Sequence, residues 1–251
     1  MLNYRRAGKG PVLVLQHGFL GGSSYWAPQI SHFARRFDVI APDMPGFAGS
    51  AAIRPPATVA GFAPTLIEFL DQLSVKRFTI MGHSLGGMVV QQLALDYPDR
   101  VERLILYGTA AIGGSPGRFE TIDDSIKRVL ASGIAVHADK LVPTWFANGA
   151  DDPYYAMCRK AGEGLTAENA VKIMKAASTW DVTGRLGELR MPTLVICGDR
   201  DRACRPDHSI KAWQAIPNAS LGIIPGCAHC AHLERPDIFN AIVGDFLRAT
   251  A

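Results

Sequence analysis

The sequence predicts an α/β fold with a mostly parallel central sheet, helices on both faces of that sheet and an inserted helical cap. Short apolar runs, typical of strands buried on both faces, alternate along the chain with segments whose apolar residues recur at helical spacing. This alternation stops near residue 112 and resumes near residue 188. We therefore expect a core formed by residues 1–111 and 188–251, and a helical cap formed by residues 112–187.

Six apolar runs are expected to form the strands of the core. Turn residues follow most of them, for example Gln-His-Gly after the first run and Pro-Asp-Met-Pro-Gly after the second. The segments between the runs have the apolar spacing of helices, as in the final segment with Ile238, Ile242 and Phe246. The predicted strands are 11–15, 37–41, 78–81, 101–107, 192–197 and 221–224.

Composition and charge exclude several classes of partner. The chain has 251 residues and a net charge of +3, and its Lys and Arg residues are scattered, so we expect no nucleic-acid partner. No run approaches the roughly 18 apolar residues of a membrane span, and the first six residues carry no apolar signal core. We expect a cytoplasmic protein with no membrane partner.

The cysteines favour a reducing compartment and not a disulfide framework. There are five, an odd number, and four of them lie after residue 196. The segment Cys227-Ala228-His229-Cys230-Ala231-His232 admits a zinc site as an alternative, but no second paired motif supplies the remaining ligands. We therefore expect no metal, and interpret the cysteines as small, partly buried apolar residues.

The central motif is Gly82-His83-Ser84-Leu85-Gly86, between an apolar run and a helical segment. In a G-x-S-x-G turn the chain bends so sharply that a side chain at residue 82 or 86 would collide with neighbouring backbone. The serine oxygen is then exposed near the N-terminus of the helix, where unpaired N–H groups favour negative charge. Ser84 is the predicted nucleophile, and the alternative is an ordinary serine in a glycine-rich turn.

A serine nucleophile needs a base and a group that orients the base, and both are expected after later strands. Asp199 and Asp201 follow the run that ends at residue 197. His229 follows the run that ends at residue 224, and His232 lies three residues later. The residues alone leave two candidate acids and two candidate bases.

At this point the chain resembles the serine branch of the α/β-hydrolase superfamily. The resemblance rests on G-x-S-x-G at 82–86, G-x-x-D at 198–201 and H-x4-E-x-P at 229–236, in the family's order of Ser, Asp and His. It implies that Ser84, Asp201 and His229 form a catalytic triad. It also implies that Asp199 is a turn residue and that Glu234 bonds backbone N–H groups near the last helix.

The resemblance extends to the oxyanion hole, which needs two preorganised N–H donors. One would be the N–H of Leu85. The second would come from the loop after the first buried strand, where His17-Gly18-Phe19 resembles the family's H-G-x loop and nominates the N–H of Phe19. His17 is expected to brace that loop and to stay outside the catalytic set.

The cap is expected to decide the substrate. Residues 128–134 and 143–146 look like the cap of 3-oxoadipate enol-lactonases, whereas 180–186 and the last segment are similar to C–C bond hydrolases of meta-cleavage pathways. Those C–C hydrolases usually have Asn where this chain has His83. The predicted substrate-binding residues are Trp145, Phe146 and Trp180. The candidate carboxylate-binding cations are Arg118, Arg128, Arg159 and Lys160.

The resulting hypothesis is cofactor-free hydrolysis of a small carboxylic ester or lactone through an acyl-enzyme. The alternatives are cleavage of a C–C bond in a vinylogous diketone, a cofactor-free perhydrolase or lyase, and a ligand receptor, because one fold hosts many functions.

Overall fold

A computed structural model describes residues 1–114 and 120–248. Within them, a seven-stranded sheet runs in the order β1-β3-β2-β4-β5-β6-β7. Neighbouring strands from β3 to β7 pair in parallel, and β1 pairs antiparallel with β3. The strands are β1 Tyr4–Ala7, β2 Val12–Gln16, β3 Asp38–Pro42, β4 Phe78–His83, β5 Val101–Tyr107, β6 Thr193–Gly198 and β7 Ala219–Ile224.

The sheet confirms the predicted fold class and all six predicted strands. Every residue of β4 and of β6 is buried, as expected of central strands covered by helices on both faces. Strand β1 was not among the predicted strands. Its residues Tyr-Arg-Arg-Ala are half-buried or exposed because an edge strand has a solvated face, and so it lacks an apolar run.

The helices of the core cover the sheet and decide where the loops meet. Helix α3 has ten buried residues because it follows the central strand β4 and packs on β4 and β5. Helices α1 and α9 contact each other, and α2 contacts α3. The core helices are α1 Ala27–Phe33, α2 Phe62–Gln72, α3 Leu85–Asp96, α7 Pro206–Ala215, α8 Ala231–Glu234 and α9 Pro236–Arg248.

Among the described residues between β5 and β6 lie three further α-helices: α4 Ile122–Leu141, α5 Tyr155–Ala161 and α6 Ala167–Ser178. We call the described residues 112–114 and 120–187, which contain them, the helical insertion. Thr121 caps α4 by accepting the Asp124 N–H at 3.1 Å. Gly133 interrupts α4 with a φ of 81°, which bends the helix, and α4 contacts α6. Among the described residues between β5 and β6, the one isolated β-bridge outside the main sheet pairs Ile112 with Asp181.

All five cysteines are buried and none forms a disulfide, which agrees with the predicted lack of a disulfide framework. In the described part of the chain, no helix is both long enough and apolar enough to span a bilayer.

Candidate active site

Ser84 lies between β4 and α3 with a φ of 55° and a ψ of −119°. Non-glycine residues rarely adopt such a conformation, and it persists here because the surrounding chain holds it on both sides. The Ser84 N–H donates to the Tyr107 carbonyl at 3.0 Å, and the Ser84 carbonyl accepts the Met88 N–H at 3.2 Å. The predicted strand–turn–helix context of Ser84 is therefore present.

The glycines at 82 and 86 are required by close packing. A Cβ at Gly82 would strike the Gly86 carbonyl and the Val90 side chain, and a Cβ at Gly86 would strike the carbonyls of Gln16 and His17. This confirms that neither position can carry a side chain unless the backbone shifts.

Asp201, and not Asp199, contacts His229. The Asp201 Oδ2 atom lies 2.7 Å from His229 Nδ1, and both side chains are buried. The other oxygen, Oδ1, accepts the N–H groups of Ala203 at 2.8 Å and Cys204 at 2.9 Å, which fixes the orientation of the carboxylate. An Nδ1–H donated to Asp201 leaves His229 Nε2 as the acceptor, the tautomer that a general base needs.

The rival acid and base have other partners. Asp199 accepts the Cys227 N–H at 3.2 Å, so it ties the loop after β6 to the loop after β7 and does not make a local turn contact. His232 is buried, with Nδ1 3.0 Å from the Tyr107 hydroxyl. Burial and the neighbouring His229 lower the pKa of His232 to about 3, so its imidazole is uncharged at neutral pH.

His83 connects the base to the loop after β2. Burial and the nearby His229 lower its pKa well below the ordinary value, so the ring is neutral. Its Nε2–H donates to the His229 carbonyl at 3.0 Å, and its Nδ1 accepts the Tyr25 hydroxyl at 3.0 Å. The Tyr25 oxygen in turn accepts the Gly18 N–H at 2.9 Å. One chain of hydrogen bonds therefore joins the predicted oxyanion loop to the predicted base.

Two further contacts hold the His229 loop. The Tyr107 hydroxyl donates to the His229 carbonyl at 2.8 Å. Glu234 accepts the Ala228 N–H and, with its other oxygen, the Ala147 N–H, both at 2.7 Å. Glu234 does bond backbone N–H groups, as predicted, but they belong to the base loop and to the helical insertion and not to the last helix.

The expected oxyanion donors lie on two adjoining elements. Leu85 is the first residue of α3, where an N–H group has no acceptor within the helix. Phe19 follows β2 in a turn closed by the Gly21 N–H donating to the Gly18 carbonyl at 3.1 Å. His17 braces this loop, as expected: its Nε2 accepts the Met44 N–H at 2.9 Å, which leaves an Nδ1–H for the Gly18 carbonyl at 2.8 Å.

One cavity is lined by Ser84, Leu85, His229 and Phe19 from the core, and by residues of the helical insertion on its other side. Trp145 also lines it, with its ring centroid 6.0 Å from that of His229. The wall is mainly apolar and is formed largely by Met88, Ile122, Leu141, Ile173 and Met174.

Phe146 and Trp180, which were also predicted to bind substrate, are buried but do not line this cavity. Trp180 instead donates its Nε1–H to Gln92 on α3 at 3.0 Å. The described candidates for binding a substrate carboxylate do not line the cavity either. Arg128 pairs with Glu120, Arg159 pairs with Asp139 at 2.6 Å, and Lys160 is exposed. Arg118 lies outside the described residues.

Two residues of the site were missed by the sequence analysis. Gly108 follows β5 with a φ of 50°, and a Cβ there would lie 3.2 Å from Asp201 Oδ2 and 3.3 Å from His229 Nδ1. His137 on α4 lines the cavity. A signal for His137 was present, since the buried residues Ser125, Val129, His137 and Leu141 recur at multiples of four and His137 is the titratable one among them.

The segment 227–232 does not form a metal site in this structure. Within residues 1–114 and 120–248, no three His, Cys, Asp or Glu side chains are grouped to hold an ion. The imidazoles of this segment instead face Asp201 and Tyr107.

Comparisons with known proteins identify the family of the chain. Residues 11–236 match the sequence profile of the alpha/beta hydrolase fold. A 2-hydroxy-6-oxo-6-phenylhexa-2,4-dienoate hydrolase of Burkholderia cepacia is 30% identical over 96% of this chain and 89% of its own length.

Two solved structures are similar over nearly the whole chain. The enol-lactonase of Burkholderia xenovorans has a TM-score of 0.90 and 29% identity, covering 99% of this chain and 96% of its own. A thermophilic esterase of Thermogutta terrifontis has a TM-score of 0.87 and 26% identity, covering 98% of this chain and 93% of its own. The chain therefore belongs to the α/β-hydrolase fold family.

Proposed function

We propose that this protein is a hydrolase of small carboxylic esters or lactones that works through an acyl-enzyme on Ser84. The observation that carries the proposal is the buried Asp201–His229 hydrogen bond of 2.7 Å, which orients an imidazole that lines the same cavity as the strained Ser84. A serine at such a turn, lining the same cavity as an oriented imidazole, supports nucleophilic acyl transfer.

The proposed reaction has two halves. His229 Nε2 takes the proton from Ser84 Oγ as the oxygen attacks the substrate carbonyl, and Asp201 stabilises the imidazolium through Nδ1–H. The N–H groups of Phe19 and Leu85 stabilise the oxyanion. The intermediate expels the alcohol oxygen, which takes the proton from His229. Water, deprotonated by His229, then attacks the acyl-enzyme, and the acid is released as Ser84 Oγ takes the proton back from His229.

The substrate's bulk is expected to rest against the helical insertion, which we propose acts as a cap within residues 112–187. Its apolar wall favours a substrate with a mainly hydrocarbon body. Trp145 is the predicted binding residue that remains in this proposal as a contact, since it lies beside His229. For Phe146 and Trp180 we propose a supporting role behind that wall.

Cleavage of a C–C bond is the second candidate. It is favoured by the 30% identity to a 2-hydroxy-6-oxo-6-phenylhexa-2,4-dienoate hydrolase over most of both chains. His83 before the nucleophile, in place of the usual Asn, argues for the ester or lactone reaction. An assay of vinylogous diketones beside short-chain esters and lactones distinguishes the two, because each reaction predicts a higher kcat/KM for its own substrate class.

The deciding experiment is Ser84→Ala with p-nitrophenyl acetate. We expect turnover to fall by about four orders of magnitude or more, because the nucleophile is lost, with an unchanged circular dichroism spectrum. Retained turnover in the folded variant would contradict the proposal.

A further inference from the structure

His137 is a polar side chain in the apolar wall of the cavity. It is 1% exposed, and neither ring nitrogen has a hydrogen-bond partner among residues 1–114 and 120–248. Buried polar groups in folded proteins are nearly always paired, because an unpaired donor or acceptor loses its bonds to water without replacement. His137 therefore costs the fold free energy that an apolar residue at the same position would not.

The charge state of His137 narrows what it can bind. Burial and the nearby cations Arg128 and Lys140 lower its pKa to about 4, so the ring is uncharged at neutral pH and offers one N–H donor and one acceptor. Arg128 is held by Glu120, and Lys140 is exposed. Among residues 1–114 and 120–248, no cation lines this apolar wall to pair with a substrate carboxylate, whereas an uncharged oxygen would meet a suitable donor in His137.

Ser125, another polar side chain that the insertion contributes to the cavity, is already paired, because it donates its hydroxyl to Glu120 at 2.7 Å. Trp145 also lines the cavity and carries one indole N–H. Among the described residues of the insertion that line the cavity, His137 is the one with two buried ring nitrogens that lack a partner.

The position of His137 sets how far its partner lies from the reacting carbonyl. Its ring contacts that of Phe19, with the centroids 6.3 Å apart and the planes at 72°. Phe19 carries one of the two proposed oxyanion donors. The Phe19 side chain therefore lies between His137 and the loop where the scissile carbonyl would bind. A few bonds of an acyl chain can span this separation.

We propose that His137 donates a hydrogen bond to an uncharged oxygen of the substrate, placed a few bonds from the scissile carbonyl. This inference rests on the proposed function and deepens it. The substrate class becomes short esters or lactones whose acyl part carries a keto or hydroxyl oxygen, and hydrocarbon analogues of the same shape become poorer substrates.

The test compares pairs of esters that differ in one non-hydrogen atom, a keto oxygen in one and a methyl carbon in the other. The pairs are the p-nitrophenyl esters of 4-oxopentanoate and 4-methylpentanoate, and of 5-oxohexanoate and 5-methylhexanoate. The kcat/KM ratio of each pair is divided by the ratio of their alkaline hydrolysis rates, which removes the intrinsic reactivity of the ester. For at least one pair, the wild type should prefer the oxo ester by about tenfold or more, the size expected for one hydrogen bond to a buried donor.

Two variants at residue 137 separate recognition from packing. His137→Leu keeps similar volume without the nitrogens, and should bring the corrected ratio to about one, chiefly by slowing the oxo ester. His137→Gln keeps a donor and should retain part of the preference. Val136→Ala, at an exposed neighbour on α4, is the matched control and should leave the ratio unchanged. Circular dichroism checks that each variant is folded.

A wild-type ratio near one for both pairs, or an equal loss of both esters in His137→Leu, would overturn the inference. Calorimetric titration into Ser84→Ala, with and without His137→Leu, measures the same preference without turnover. The ligands are the methyl esters of the same four acids: 4-oxopentanoate, 4-methylpentanoate, 5-oxohexanoate and 5-methylhexanoate. If Ser84→Ala stayed active, the proposed function would fail while the binding ratio still judged His137.

Discussion

The loops that carry the predicted triad and the helical insertion differ in how their polar groups are paired. In the His229 loop, the base is held by Asp201 on one ring nitrogen, and its carbonyl is held by His83 and Tyr107. In the insertion, His137 faces the same cavity without a protein partner among the described residues. The difference suggests a division of roles in the proposed function: the core positions the predicted reacting groups in advance, whereas the insertion would leave its polar contact to the proposed substrate.

The two regions are nevertheless joined at the site. The Cys230 N–H, next to His229, donates to the Trp145 carbonyl at 3.0 Å. Glu234 links Ala147 of the insertion to Ala228 of the base loop. His229, the predicted base, is therefore held partly by the segment that lines the cavity, so a change in the insertion can reach the position of His229 through the backbone.

The largest expected effect comes from removing the contact that orients His229 in the core. Asp201→Asn removes the carboxylate that holds His229 in the required tautomer, and kcat on p-nitrophenyl acetate should fall by roughly three to four orders of magnitude. Asp199→Asn is the matched control, because Asp199 accepts only a backbone N–H, and kcat should fall by about tenfold or less. If Asp199→Asn gave the larger loss, the assignment of the acid would be wrong.

The second effect concerns the neutral histidines beneath the site. Because the folded pKa of His232 is about 3, below pH 6.5 the unfolded chain binds a proton that the folded chain does not. The free energy of unfolding should therefore decrease as pH falls from about 6.5 toward 3, by about 1.4 kcal/mol per pH unit from His232 alone. At pH values above 6.5 His232 is neutral in both the folded and the unfolded chain, so it no longer lowers the free energy of unfolding.

Urea unfolding of the wild type and His232→Asn at pH 7 and pH 5 measures this slope. The variant should show a slope smaller by about one proton, because the asparagine at 232 does not titrate. His32→Asn is the control, since His32 is exposed and water solvates its charged form, so the slope should change less. An unchanged slope in His232→Asn would show that His232 is not the group responsible.

The smallest effect tests the link between the two loops of the core. Tyr25→Phe removes the oxygen that accepts the Gly18 N–H and donates to His83. We expect kcat to fall by about tenfold with KM nearly unchanged, because a buried N–H loses its acceptor while the cavity wall is kept. Tyr4→Phe on the edge strand β1 is the matched control and should leave kcat unchanged. An equal effect of the two variants would contradict a positioning role for Tyr25.

The difference between these regions also explains which expectations about substrate contacts were met. Trp145, Phe146 and Trp180 are all large, apolar and buried, yet only Trp145 lines the cavity. Burial follows from hydrophobicity, but the partner that buries a residue depends on how helices and loops pack. For this reason composition could nominate all three residues and could not choose between them.

The sequence by itself determined the six apolar strands, the turn at Ser84 and the order of Asp201 and His229, because these depend on local patterns of apolar residues and glycines. Tertiary structure decided the rest. The pairing of Asp201 with His229 joins residues 28 positions apart, and two loops at neighbouring strand ends had to meet for it to form. The direction of His137 depends on the bend of α4 at Gly133 and on its packing against α6, contacts that no local pattern encodes.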